Sequence, residues 1–252
     1  LLDREHPIRF LLEHIQAKYG FARFPAMHIK ITSTIPLAGG LGSSASVSVA
    51  LIRAISGFLD LGITDQNVSE LAFLVEKIHH GTPSGIDNTV ITYAKPVFYK
   101  PGHLVETLQV EAPIHLLIAD SGHSTLTRET VAAVRKLHAD LPEYYESLFD
   151  SIEEIVKRAR ECIEIGNLEL LGLLMTKNHN FLKDMSVSSP ALDQLVNTAL
   201  DFGALGAKLS GGGRGGNIIT LVSEQTSEPI TQALLSAGAT RVIASRLLPS
   251  RS

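Results

Sequence analysis

Eight of the chain's twenty glycines fall in two short stretches. Gly39, Gly40 and Gly42 stand in Pro36-Leu37-Ala38-Gly39-Gly40-Leu41-Gly42-Ser43-Ser44-Ala45. Gly211, Gly212, Gly213, Gly215 and Gly216 follow Lys208-Leu209-Ser210. Glycine weakens a helix interior and a central strand, so both stretches must be loops between regular elements. It also permits positive φ and close approach of the backbone to another group. Two such loops in one chain suggest an anion held close to backbone amides.

The rest of the sequence supports a folded protein around these loops. The chain has 252 residues, 44% apolar and 19% charged, which is enough to bury a substantial core in one large domain or two small ones. Lys plus Arg is 22 against 26 for Asp plus Glu, a net charge of −4. That balance argues against a nucleic-acid partner. No stretch is apolar over a transmembrane length and no secretory leader pattern opens the chain, so no membrane role is expected. Cys162 is the single cysteine, so an intrachain disulfide is impossible; a cytoplasmic setting is the natural reading.

Apolar periodicity predicts helices over 7–19, 43–59, 64–78, 128–139, 143–165, 168–182, 191–202 and 230–236. Alternating or β-branched runs predict strands at Met27–Thr34, Thr89–Tyr93, Val97–Tyr99, Ile114–Ala119, Ala207–Leu209, Ile218–Val222 and Thr240–Ser245. Without strict alternation of strand and helix, the fold class is α+β. A boundary is expected near Ala112, giving lobes 1–112 and 113–252, with both glycine loops facing a shared cleft.

Three stretches carry chemistry. The first glycine loop leads from an expected strand into an expected helix, whose free amides and positive dipole end make a phosphate cradle. Ser43 and Ser44 add hydroxyls for a phosphate oxygen or Mg²⁺; the alternative is a tight turn with a serine cap. A Walker loop is excluded because no Gly-Lys-Ser/Thr is present, and a dinucleotide fingerprint fits poorly. The second stretch is Glu76-Lys77-Ile78-His79-His80-Gly81-Thr82-Pro83-Ser84-Gly85-Ile86-Asp87-Asn88. Glu76 falls near a helix C-terminus, where the dipole disfavours a carboxylate. Asp87 closes a turn-rich segment, either as a turn residue or as an acid–base group. His79 and His80 diverge by about 100° on a helix and are read as structural. The third stretch is Lys208 to Asn217 between two short strands.

The three stretches together resemble the GHMP kinases, and His80 to Asn88 resembles the mevalonate branch of that family. The resemblance covers essentially the whole chain. It implies a two-lobed fold: a ribosomal-protein-S5-like N-lobe, here without its first strands, and a ferredoxin-like C-lobe. It implies transfer of the γ-phosphoryl of ATP to the 5-hydroxyl of mevalonate, with Mg²⁺. By the same resemblance, Gly39, Gly40, Leu41, Gly42, Ser43, Ser44 and Ala45 hold the ATP phosphates, and Ser44 and Glu76 bind the metal. Asp87 faces the substrate hydroxyl; a carboxylate beside cations is a weak base, so it mainly orients that group. Ser84, Thr127, Gly211 and Gly212 fall at substrate positions, and a homodimer is possible in the family.

Two departures stand out. The family's opening Pro-Gly-Lys strand has no counterpart here, and the chain is expected to begin after it. Arg214 stands where glycine is usual, and its guanidinium either turns inward onto a phosphate or the substrate carboxylate, the favoured reading, or points to solvent; Asn217 replaces a small residue or cysteine. Lys208 is expected to end a strand with a solvated ammonium, and Cys162 and Met175 to serve packing. Other readings of these residues are a related GHMP enzyme acting on phosphomevalonate or on the 3-hydroxyl of mevalonate, a non-catalytic nucleotide-binding protein, and a nicotinamide-dependent dehydrogenase.

Overall fold

The computed structural model describes residues 6–33, 35, 41–80, 83–123, 125 and 127–250. It divides into two compact units, Leu1–Thr107 and Leu108–Ser252.

The first unit is mainly helical. Helix α1 (Pro7–Tyr19) opens with Pro at its first position and His6 Nδ1 accepting from the Ile8 amide at 3.3 Å; it ends at Gly20, with φ 72°. Helix α2 (Ser43–Leu59) and helix α3 (Asp65–His80) follow. Leu11 and Ile15 of α1, Val49, Ile52 and Ile55 of α2 and Val68, Leu71, Ala72 and Val75 of α3 close one apolar core. These are the i, i+3, i+4 positions that the periodicity singles out.

Two expected strands are corrected. Residues 27–33 pair with no described strand, and nearly all of them are exposed; alternation alone supplies no partner for their backbone groups. Thr34 lies outside the described residues. Thr89–Tyr93 belongs to helix α4 (Ile86–Tyr93). Its Thr-Val-Ile-Thr run favours a strand by local preference, but packing overrides that preference. Asn88, Thr89 and Thr92 are buried at helical spacing. The Thr89 hydroxyl donates to the Gly85 carbonyl at 2.6 Å, and Asn88 Nδ2 donates to the Ser69 carbonyl and hydroxyl of α3 at 3.1 and 2.9 Å. Strand β1 (Val97–Phe98) pairs antiparallel with β2 (Glu106–Thr107), which has no apolar pattern to announce it.

The second unit is built on a four-stranded antiparallel sheet. Strand β3 (Ile114–Asp120) is followed by helices α5 (Thr127–Asp140), α6 (Pro142–Ile165), α7 (Leu168–Asp184) and α8 (Pro190–Asp201). Strands β4 (Gly206–Ser210) and β5 (Asn217–Val222), helix α9 (Ser227–Ser236) and strand β6 (Arg241–Leu247) complete it. The strand order is β4-β5-β3-β6. Leu117, Ala119, Ala207, Leu209 and Ile218 pack with α8 and α9 residues such as Leu192, Leu195, Ile230 and Leu234. Alternate residues Ile114, Leu116, Ile219 and Leu221 pack with Ile155 and Cys162 of α6 and Leu171, Leu174 and Met175 of α7. Cys162 is 2% exposed and burial raises its pKa, so it is a core thiol.

Helix α7 lies along the outer edge of β4. The Ala207 amide donates to Thr176 Oγ1 at 3.3 Å and the Leu209 amide donates to His179 Nδ1 at 3.2 Å. An edge strand leaves alternate amides unpaired, and here two helix side chains take them. The approach is possible because Gly172 meets Gly206: a Cβ on either would collide with the backbone of the other segment.

Lys208 contradicts its expected role. It lies inside β4, and its ammonium donates to the Leu209 carbonyl at 2.8 Å. Burial lowers its pKa to about 8. A solvated strand end would impose no such cost.

Candidate active site

In the first unit, three helix segments converge. Gly42 precedes α2 with φ 68° and ψ 30°, a left-handed conformation that favours glycine. Its carbonyl accepts from the Ser46 amide and hydroxyl, each at 2.9 Å. A Cβ on Gly42 would stand 2.9 Å from Ile91 Cδ1 and 3.6 and 3.7 Å from Asp87 Cβ and Cγ. Both φ and the proximity of α4 therefore require glycine. The first turns of α2 and α4 meet at Gly42 and Asp87, and each helix start presents its positive dipole end.

Ser44, in the first turn of α2, donates its hydroxyl to Glu76 Oε1 at 2.6 Å. Glu76 is 4% exposed and lies in the last turns of α3. A buried carboxylate is costly without compensation, and its own helix end disfavours it. The Ser44 hydroxyl supplies part of that compensation. Hydroxyl and carboxylate oxygens form a donor set suited to a hard divalent cation. Among the described residues, no three His, Cys, Asp or Glu side chains cluster as a metal cage, so protein ligands would complete only part of such a shell.

The remaining expected residues of this unit are placed as follows. Ser43 is half-buried at the start of α2, Leu41 precedes Gly42, and Ala45 is fully buried in the core. Gly39 and Gly40 lie outside the described residues. The Ser84 hydroxyl accepts from the Ile86 amide at 3.3 Å, at the start of α4. Gly85, at φ 85°, admits the Tyr99 hydroxyl, which donates to the Ser84 carbonyl at 2.9 Å. Asp87 thus sits in the first turn of a helix rather than before a strand. Asn88 and Tyr99 hold that turn in place, a role the sequence reading missed; the only signal was the Asp-Asn pair itself. A cavity of about 330 Å³ borders Ser43, Ser44 and Ser48. Ile8, Leu11, Val47, Leu51 and Val75 also line it, so it is too apolar to seat phosphates itself.

In the second unit, Thr127 opens α5 and touches the glycine-rich loop. A Cβ on Gly212 would stand 3.0 Å from both Thr127 Cβ and Cγ2, with the hydroxyl nearer still. Gly211 has φ 87° with open space around it. Gly213 packs on the Val187 carbonyl, and Gly215 on that of His123. The Gly216 amide donates to the His123 carbonyl at 2.6 Å. The density of glycine here answers to contacts on several sides of one loop.

Arg214 bonds to a neighbouring backbone segment. Its φ is 57°, its amide donates to the Val187 carbonyl at 2.7 Å, and its Nε donates to the Ser186 carbonyl at 3.0 Å. Its own carbonyl accepts from the Thr125 hydroxyl at 3.1 Å. The guanidinium ties the loop to the segment before α8.

Comparison with known proteins matches this architecture. Residues 6–95 fit the family model of the GHMP kinases N terminal domain, and residues 151–240 that of the GHMP kinases C terminal. A mevalonate kinase of Pyrococcus abyssi is 37% identical over 244 residues, covering 94% of this chain and 70% of its relative. One of Thermococcus gammatolerans is 39% identical over 220 residues, covering 85% and 65%. The crystal structure of L. major mevalonate kinase in complex with R-mevalonate superposes with a TM-score of 0.79 at 34% identity, covering 84% of this chain and 67% of that one. The chain thus spans about two thirds of the length of these relatives. No described helix is long and apolar enough to cross a membrane. Two family models in order, identity above 35% over most of the sequence and the shared fold place this chain in the GHMP kinase family, among the mevalonate kinases.

Proposed function

We propose that the protein transfers the γ-phosphoryl group of ATP to the 5-hydroxyl of mevalonate, in a reducing, cytoplasmic setting consistent with its single buried thiol. The observation that carries this reading is the junction of α2, α3 and α4: the Ser44–Glu76 hydrogen bond at 2.6 Å, with Asp87 packed against Gly42. Phosphoryl transfer asks a protein mainly for positioning and for charge stabilisation. Amides at the start of α2, from Gly42 to Ala45, would bind the phosphates, and the motif assigns Gly39 and Gly40 to the same role. Ser44 Oγ and Glu76 would hold Mg²⁺, which would supply charge neutralisation on the phosphate oxygens.

Asp87 orients the substrate hydroxyl. As the bond from that oxygen to the γ-phosphorus forms and the bridging P–O bond breaks, the hydroxyl proton passes to the Asp87 carboxylate. Thr127, Gly211 and Gly212 are assigned to the substrate, and Ser84 shapes the same turn as Asp87. The related reading, a kinase for phosphomevalonate or for the 3-hydroxyl, differs only in the acceptor.

The test is coupled turnover with ATP and each acceptor, followed by identification of the product. Asp87→Asn should keep the fold and lower kcat by about 10² or more, the usual scale for a positioned acid–base group. Near-normal turnover in folded Asp87→Asn would reduce Asp87 to a helix-start residue, and phosphorylation of another acceptor alone would move the substrate assignment.

A further inference from the structure

The glycine-rich loop is braced by a chain of polar side chains that no step of the proposed reaction uses. His179 in α7 is 3% exposed. Its Nδ1 accepts from the Leu209 amide at 3.2 Å, so Nδ1 carries no proton and Nε2 does. That Nε2 donates to Asp193 Oδ1, in the first turn of α8, at 3.2 Å. Asp193 Oδ1 also accepts from the Ser188 hydroxyl at 2.6 Å, and its Oδ2 pairs with Lys183 at 3.1 Å. Ser188 ends the segment whose Ser186 and Val187 carbonyls take both the side chain and the amide of Arg214.

We infer that the His179–Asp193–Ser188 relay is a positioning device for the Ser210–Gly216 loop. It grips the loop twice: at Leu209, one residue before the loop begins, and at Gly213–Arg214 through the 186–188 segment. Each link has a defined donor and acceptor, so the relay fixes one arrangement rather than a family of them. The protonation states agree. Burial, opposed by Asp193, lowers the pKa of His179 and keeps the ring neutral. Burial raises that of Asp193, but the Ser188 hydroxyl and Lys183 outweigh it and hold the carboxylate ionised. A neutral ring buried among Leu209, Asp193 and nearby Lys208 and Lys183 can only donate at Nε2 and accept at Nδ1. Thr176, one turn earlier, takes the Ala207 amide and keeps α7 in register with β4.

The inference rests on the reading that places this loop at the substrate. It predicts that breaking the relay loosens the loop without unfolding the unit. Ser188 is half-buried, so Ser188→Ala removes one hydroxyl and leaves the core intact. In the full chain, amide exchange over 210–216 should accelerate about tenfold in Ser188→Ala with the thermal midpoint nearly unchanged. The KM for mevalonate should rise about tenfold while the KM for ATP moves little. Ser188→Thr, which keeps the hydroxyl, should restore both. His179→Asn, whose side-chain oxygen can still accept from Leu209 but cannot reach Asp193, should behave like Ser188→Ala. Unchanged exchange over 210–216 in folded Ser188→Ala and His179→Asn would overturn the inference. So would a loss of activity that Ser188→Thr does not recover. If wild-type protein phosphorylates no mevalonate, the functional reading fails, and the exchange measurement still decides the relay.

Discussion

Lys208→Met tests the energetics of the sheet edge directly. Lys208 sits in β4 with its ammonium against the Leu209 carbonyl, and its pKa falls from 10.5 to about 8 through burial. Below pH 8 both the folded and unfolded chains carry the proton, and the fold bears the full cost of the buried charge. Above about pH 10.5 both are neutral and the cost disappears. Native stability therefore rises with pH between these values, because the unfolded chain binds the extra proton. At 1.36 kcal/mol per pH unit, the window corresponds to about 3 kcal/mol. Methionine has a similar length and no charge, so its variant lacks this dependence. The assay is denaturant unfolding of wild type and Lys208→Met at half-unit steps from pH 7 to pH 10.5. Other titrating groups cancel in the difference. The variant's advantage should shrink by about 3 kcal/mol across the range, whatever its starting value. A difference that stays flat with pH would show that the ammonium is solvated after all.

Four further outcomes follow from the same structure. Gly172→Ala should destabilise by about 1–3 kcal/mol, because its Cβ meets the Leu205 carbonyl and lies 3.0 Å from the Gly206 amide. Gly57→Ala, in α2 with nothing within 4 Å, should stabilise by about 0.5–1 kcal/mol, so opposite signs in denaturant melts check the packing argument. Ala94 ends α4 at φ 50°, so Ala94→Gly should be neutral to about 1 kcal/mol stabilising; a clear loss in thermal midpoint would contradict the strain. Glu76→Gln should raise the Mg²⁺ concentration needed for half-maximal turnover about tenfold or more, and an unchanged Mg²⁺ titration would remove Glu76 from the metal shell.

The helices were legible because their signals are local. In α1 the apolar spacing, Pro7 and Gly20 agree, and in α2 the run from Ser43 to Leu59 matches the structure end to end. Helix α4 was not legible, since its identity depends on Asn88 reaching Ser69, nineteen residues away, and on Gly85 adopting positive φ. The 27–33 segment shows the converse: a strand pattern has no meaning until a partner supplies the ladder. At the site, Ser44, Glu76 and Asp87 were found through motif resemblance, and the packing of three helix ends then brought them together. The His179–Asp193 pair gave no sequence signal beyond a histidine in an apolar helix. Its meaning lies in which strand amide it faces, and periodicity carries no such information. The bond from Arg214 to the Ser186 carbonyl was not legible, because a charge beside a glycine loop suggests an anion, whereas backbone carbonyls of a neighbouring segment offer an equally good acceptor.

The closure of β4 by Thr176 and His179 also bears on how this protein avoids sticking to itself. A sheet with a bare outer strand offers amides to any extended chain, including a partly unfolded copy. Here the helix that seals that strand is held by a glycine–glycine contact too tight to admit a methyl group. Loss of either glycine would move α7 outward and uncover the Ala207 and Leu209 amides together. The same event that costs stability would then create a template for strand addition. Variants at Gly172 or Gly206 should therefore lose solubility faster than their melting points fall.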